Sequence, residues 1–201
     1  MTETLTTAPR PAGPIRNRII AAAIELTARS GWSSVTMAGL ADIVGVSRQT
    51  VYNEIGSKPA LAEAMVLDEL GRFLSVVQQA FDEHPRDLVA AIRAAAENVL
   101  VLAHDNILLR AVVSATHGAD TELLPLLTTH AESLLSTAKA MLVDRLEDYD
   151  LPFDEHQLGV VIDVVVRVVL SHVMQPSDTP ARTAEDIAWV ASRVLAAPPP
   201  A

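Results

Sequence analysis

The 201-residue sequence predicts an all-α fold, with a small head of three short helices followed by a larger helical body. Three observations predict it. Apolar residues recur at helical spacing along most of the chain. Hydroxyl side chains able to cap a helix stand directly ahead of short apolar runs, and glycine is scarce away from a few junctions. Half of the residues are hydrophobic, enough to bury one sizeable core or two small ones.

Met1 to Gly13 is polar and Pro-containing and lacks the apolar stretch of a signal peptide, so it reads as a flexible arm. Pro14 suits a first helical turn. The run I-R-N-R-I-I-A-A-A-I-E-L-T-A-R-S follows, placing Ile19, Ala22, Ala23 and Leu26 on one face before Gly31 ends it. Thr36 can cap M-A-G-L-A-D-I-V, which stops at Gly45, and Ser47 can cap R-Q-T-V-Y-N-E-I, which stops at Gly56. Ser57 caps a long helix with Pro59 in its first turn, running to about Asp82.

The body continues from Pro85 as a helix to about His104, breaks at Asp105-Asn106 and resumes as an apolar helix to about Thr116. Gly118 marks a loop. Leu124, Leu127, Ala131, Leu134, Ala138 and Met141 keep helical spacing within Leu123 to Tyr149, and D-Y-D-L-P then makes a turn. Gly159 to Val173 is rich enough in valine for a strand, but Asp163, Arg167 and Ser171 recur every four residues, which predicts a buried helix. Its charges and length argue against a membrane span. A last helix, about Thr183 to Leu195, carries Glu185-Asp186 in its first turn and Trp189 among small apolar residues. The expected division is an arm at 1–13, a head at 14–60, a body at 61–197 and a tail at 198–201.

Charge follows that division. Residues 1–60 hold six basic and four acidic residues, a net of +2, so a chain of net charge −10 carries −12 in the remainder. A basic head on an acidic body separates a part that can face a polyanion from one that avoids it. The absence of cysteine excludes a disulfide framework, a thiolate metal site and a thiol nucleophile, and a reducing cytoplasm is the simpler setting.

The two short helices joined at V-G-V fit a helix-turn-helix. Gly45 supplies the left-handed turn and Val46 fills the gap between the helices. In such a unit Arg48, Gln49, Thr50 and Asn53 can hydrogen-bond base edges, while Thr36, Ser47, Tyr52 and Lys58 orient the head on phosphates. A polar helix alone would more simply be a solvated face.

The wider pattern carries more. R-I-I-A-A-A-I-E-L, then G-W, then V-T-M-A-G-L-A-D-I-V-G-V-S-R-Q-T-V-Y, then S-K-P-A-L resembles the DNA-binding domain of the TetR family of transcriptional regulators, over residues 15–65. The resemblance implies an N-terminal three-helix helix-turn-helix domain and a C-terminal helical ligand-binding and dimerisation domain. It implies a homodimer on a double-stranded operator, usually as a repressor, with Ser47 to Ile55 as recognition helix. Thr27 and Ile55 stand where the family usually has phenylalanine, so the head must pack differently, with Trp32 and Met37 as compensating bulk.

For the body the resemblance implies an effector pocket among the middle helices and a dimer seam on the last two. The aliphatic Leu100 to Leu135 suits a lipophilic effector such as a fatty acid or its ester, although such a stripe equally fills a core. Pocket candidates are Asn98, Leu102, Asn106, Arg110, Leu127, His130, Leu134 and Arg167, with His104 and His117 as further polar residues. Arg suits a carboxylate, and Arg167 alternatively pairs with Asp163 four residues earlier. Dimer-seam candidates are Val165, Val169, Trp189 and Val190.

No residues suggest catalysis, a metal or a cofactor. The histidines lack metal-ligand spacing, and G-x-S-x-G, a P-loop and a nucleotide-binding glycine fingerprint are absent. A carboxylate-bridged bundle would need E-x-x-H, which A-E-N-V and A-E-S-L do not supply. The rival reading is a helical binding protein that keeps the head but recognises no specific operator.

Overall fold

A computed structural model of the chain describes residues 14–106, residue 109 and residues 131–196, without side chains at 131–134. The described residues form eight α-helices, one 3-10 turn and no strand: α1 (Ile15–Ser30), the turn Trp32–Ser34, α2 (Met37–Val44), α3 (Arg48–Ile55), α4 (Lys58–Glu83), α5 (Leu88–Asp105), α6 (Ala131–Leu146), α7 (Glu155–Met174) and α8 (Pro180–Leu195). They make two compact units that meet inside α4, after Met65. The boundary read from the sequence lay at residue 60.

In the first unit α1 packs on α2, α3 and the 3-10 turn. Ile19, Ala23, Val35, Leu40, Val51 and Leu61 are fully buried there. Thr27 is buried too, and its hydroxyl donates to the Ala23 carbonyl at 2.7 Å, so a polar group enters the core already partnered. Ile55, Trp32 and Met37 are also buried.

In the second unit α5 packs chiefly on α8 and also on α7, which in turn packs on α6. Alanines make that close approach possible. Ala91 and Ala95 join Ala80, Phe81, Leu88, Leu146 and Ile162 in one core cluster, and Ala96 joins Ala184 and Ile187 in another. The Tyr149 ring meets Phe81 edge-on at 6.2 Å, and its hydroxyl donates to the His84 carbonyl at 2.9 Å. Burial, then the neighbouring Asp148, pushes the Tyr149 phenol above its ordinary pKa. Asp87, Asp154 and Thr179 cap α5, α7 and α8, with Asp154 and Gln157 forming a reciprocal capping box.

Three expectations need correction. The valine-rich segment is a helix, but it is not buried within its own chain: Ile162 is its one buried residue, while Val160, Val164 and Val168 are 49%, 53% and 39% exposed. A helix apolar all round can turn only one side to its own core. It also extends to 20 residues and holds an 18-residue window of mean hydropathy 1.8, so length and charge do not argue against a membrane span, although core helices of soluble proteins meet the same criterion. Finally, Thr179 starts α8 earlier than expected, moving Glu185 and Asp186 beyond the first turn, where Arg182 reaches them at 3.3 and 3.5 Å. The helix expected up to Thr116 and the loop at Gly118 lie outside the described residues.

Candidate nucleic-acid interface

The site is built from α2, its turn and α3. Thr36 Oγ1 accepts the Gly39 amide at 3.0 Å, and a Cβ at Gly39 would crowd that oxygen at 3.2 Å. Gly45 ends α2 in the left-handed conformation, φ 73° and ψ 43°. Its amide and that of half-buried Val46 both donate to the Ala41 carbonyl, at 2.9 and 3.0 Å, which closes the turn. Ser47 Oγ then accepts the Thr50 amide at 3.0 Å and lies 2.8 Å from Thr50 Oγ1. Both hydroxyls expected to touch DNA at this corner therefore also hold the start of α3.

Along α3, Val51 and Ile55 are buried whereas Arg48, Gln49, Tyr52 and Asn53 are exposed. Burying one stripe of α3 forces these four outward. Gln49 Nε2 donates to Asn53 Oδ1 at 2.8 Å, joining two amides one turn apart on the outer face. The Lys58 ammonium lies 4.8 Å from the centroid of the Trp32 ring, on a helix whose Ser57 cap accepts the Ala60 amide at 3.2 Å.

The pocket candidates are dispersed. Asn98 and Leu102 are half-buried on α5. Asn106 is buried at the end of α5, where its amide donates to the Glu69 carboxylate and its oxygen accepts the Leu109 amide at 2.8 Å. Arg167 is exposed on α7 and donates to Asp163 at 2.7 Å, the pairing its spacing suggested. Arg110, Leu127 and His130, with the side chain of Leu134, lie outside the described residues. Of the dimer-seam candidates, Val165 and Val169 pack on the cluster of Ala96, Ala184 and Ile187 of their own chain, whereas Trp189 and Val190 are exposed.

Sequence reading missed two partners. Glu69 is buried although acidic, and its signal was its place seven residues after Ala62 and four after Met65, on an apolar stripe. Lys139 closes on Asp163 from α6, and that hydrogen bond, then the one from Arg167, holds the Asp163 carboxyl below the usual carboxylate range. Nothing in the spacing of residues 139 and 163 announces that pairing. Among the described residues no group of three or more metal-ligating side chains is gathered.

The family described as bacterial regulatory proteins, tetR family, matches residues 19–65, and that described as Bacterial Tetracyclin repressor, C-terminal domain, matches residues 87–193. The HTH-type transcriptional regulator AlkX of Mycobacterium tuberculosis is 27% identical over 175 residues, covering 87% of this chain and 82% of that protein. The crystal structure of the TetR family repressor AlkX from a Dietzia strain, implicated in biodegradation of n-alkanes, is similar with a TM-score of 0.70 at 26% identity, covering 94% of this chain and 97% of that one. A TetR-like transcriptional regulator from Rhodococcus sp. RHA1 shares the fold, with a TM-score of 0.56 at 17% identity over 94% of this chain and 99% of that one. With its C-terminal family match alone spanning more than half of the sequence, the chain belongs to the TetR family of bacterial transcriptional regulators.

Proposed function

We propose that this TetR-family regulator is a cytoplasmic repressor, released from its operator by a lipophilic small molecule of the fatty acid or fatty ester class. Residues 14–60 serve as the DNA-binding domain and residues 61–197 as the effector-binding and dimerisation domain. The observation that carries the DNA reading is the outward polar face of α3, with Arg48, Gln49, Tyr52 and Asn53 exposed on a helix whose start is capped by Ser47. Arg suits guanine and Gln or Asn suits adenine in the major groove, and Tyr52 and Lys58 add phosphate contacts.

Two features support the effector class. The middle of the sequence is aliphatic with few aromatic residues, and the Dietzia repressor similar to this chain is implicated in biodegradation of n-alkanes. Alkanes, fatty acids and fatty esters share an unbranched apolar chain. The effector acts by binding better to a state whose recognition helices no longer match successive major grooves about 34 Å apart.

The test is a mobility-shift titration on the DNA upstream of the protein's own gene, with saturated fatty acids and their methyl esters of increasing length as probes. Release that strengthens with chain length supports the reading. An operator complex that persists through saturating lipid, while a polar metabolite dissolves it, overturns the effector class. Failure to shift any upstream sequence favours the rival, a helical binding protein without an operator.

A further inference from the structure

Two arginines that no DNA reading assigns reach from α1 to the two helices of the helix-turn-helix. Arg16 Nη1 donates to the Glu54 carbonyl in the last turn of α3 at 2.7 Å, and Arg18 Nη2 donates to the Val44 carbonyl at the end of α2 at 2.6 Å. Both precede the family match, which begins at residue 19. Residues two apart on a helix point about 200° away from each other, so one turn of α1 can address two different helices.

The chemistry at the receiving ends is complementary. The last carbonyls of a helix lack intrahelical partners and carry the negative end of its dipole, which a cation stabilises. Neither α2 nor α3 has a basic residue in its own last turn. The cation that each lacks therefore comes from α1. Arg18 is held there at a cost, because its Nε is buried without a partner among the described residues. An arginine kept where part of its guanidinium goes unsatisfied points to a need for the remaining bond.

We propose that Arg16 and Arg18 are positioning residues for operator binding: by holding the carbonyl ends of α3 and α2 they set the angle at which Arg48, Gln49 and Asn53 meet the base edges. The inference rests on the operator reading above. Neither residue touches a base in this role. Removing one loosens the recognition helix and weakens specific binding, while non-specific attraction to phosphate is retained.

The test compares full-length wild-type, Arg16→Ala, Arg16→Gln and Arg18→Met proteins on operator and random-sequence duplexes over a range of salt. For Arg16→Ala the expected result is about a tenfold loss for operator, with the random-duplex affinity and salt slope of wild type. Arg16→Gln does not recover the loss, because its amide is two bonds shorter than the guanidinium and brings no cation to the end of α3. Arg18→Met, which melts like wild type if it folds, shows the same selective loss. Equal weakening on both duplexes with a salt slope lower by about 0.9 makes Arg16 a phosphate contact and overturns the proposal. Wild-type operator affinity in Arg16→Ala also overturns it. A wild-type protein that shifts no operator defeats the operator reading itself and this inference with it.

Discussion

The side-chain amide of Asn106 donates to the carboxylate of Glu69, with both residues buried. Removing the amide leaves a buried carboxylate short of a partner, which costs roughly 1–3 kcal/mol or more. Asn106→Leu should therefore lower the unfolding free energy, read from denaturant titration of the full chain, by that order, and Glu69→Gln combined with Asn106→Leu should recover part of the loss. A single variant as stable as wild type would show that the carboxylate finds another donor, such as Arg72 at 3.8 Å.

Gln49 and Lys58 should separate in their effects on DNA. Gln49→Ala breaks the amide pair with Asn53 and should cost about 1–3 kcal/mol at one operator position while leaving other positions unchanged. Lys58→Ala should weaken binding to every sequence and lower the salt slope by about 0.9. It should also lower the melting temperature slightly, since the ammonium loses its contact with Trp32. Binding measured across a panel of single-base operator variants distinguishes the two patterns.

Asp163 predicts an acid-sensitive join between α6 and α7. Its folded-state pKa is depressed by the Lys139 hydrogen bond first and by Arg167 second. A depressed carboxylate stabilises the fold above its ordinary pKa, and that contribution fades as pH falls below the ordinary value through the folded one. Asp163→Asn should lower stability at neutral pH and flatten the acid limb of a stability profile. Profiles that stay parallel to the bottom of the acid limb would contradict the assignment.

The exposed valines of α7 predict where the dimer closes. Val160, Val164 and Val168 recur every four residues on the side of α7 away from Ile162, and Trp189, Val190 and Val194 are exposed on α8. Val164→Glu adds a charge at a half-exposed position, so the protomer should still fold, but the dimer should dissociate and operator affinity should fall by orders of magnitude. Light scattering together with circular dichroism checks both halves. A dimeric Val164→Glu protein would move the seam elsewhere.

The head was legible almost residue by residue because its signals are local. Thr36, Gly45 and Ser47 each act within four residues of themselves, so caps and turn can be read from adjacent residues. The body resisted because its decisive contacts join distant positions. Lys139 meets Asp163 across 24 residues and Asn106 meets Glu69 across 37, and no local pattern encodes either pairing. The error over α7 has the same origin: periodicity shows which residues share a face, but not whether the chain itself or a second copy covers that face.

That outward file of valines ties the endurance of the protein to its own supply. An apolar face covered only by association is protected by mass action, so the melting temperature should rise with protein concentration. Dilution would strip away both the second DNA-reading head and part of what keeps each subunit folded. A regulator built this way falls silent in scarcity before any effector arrives.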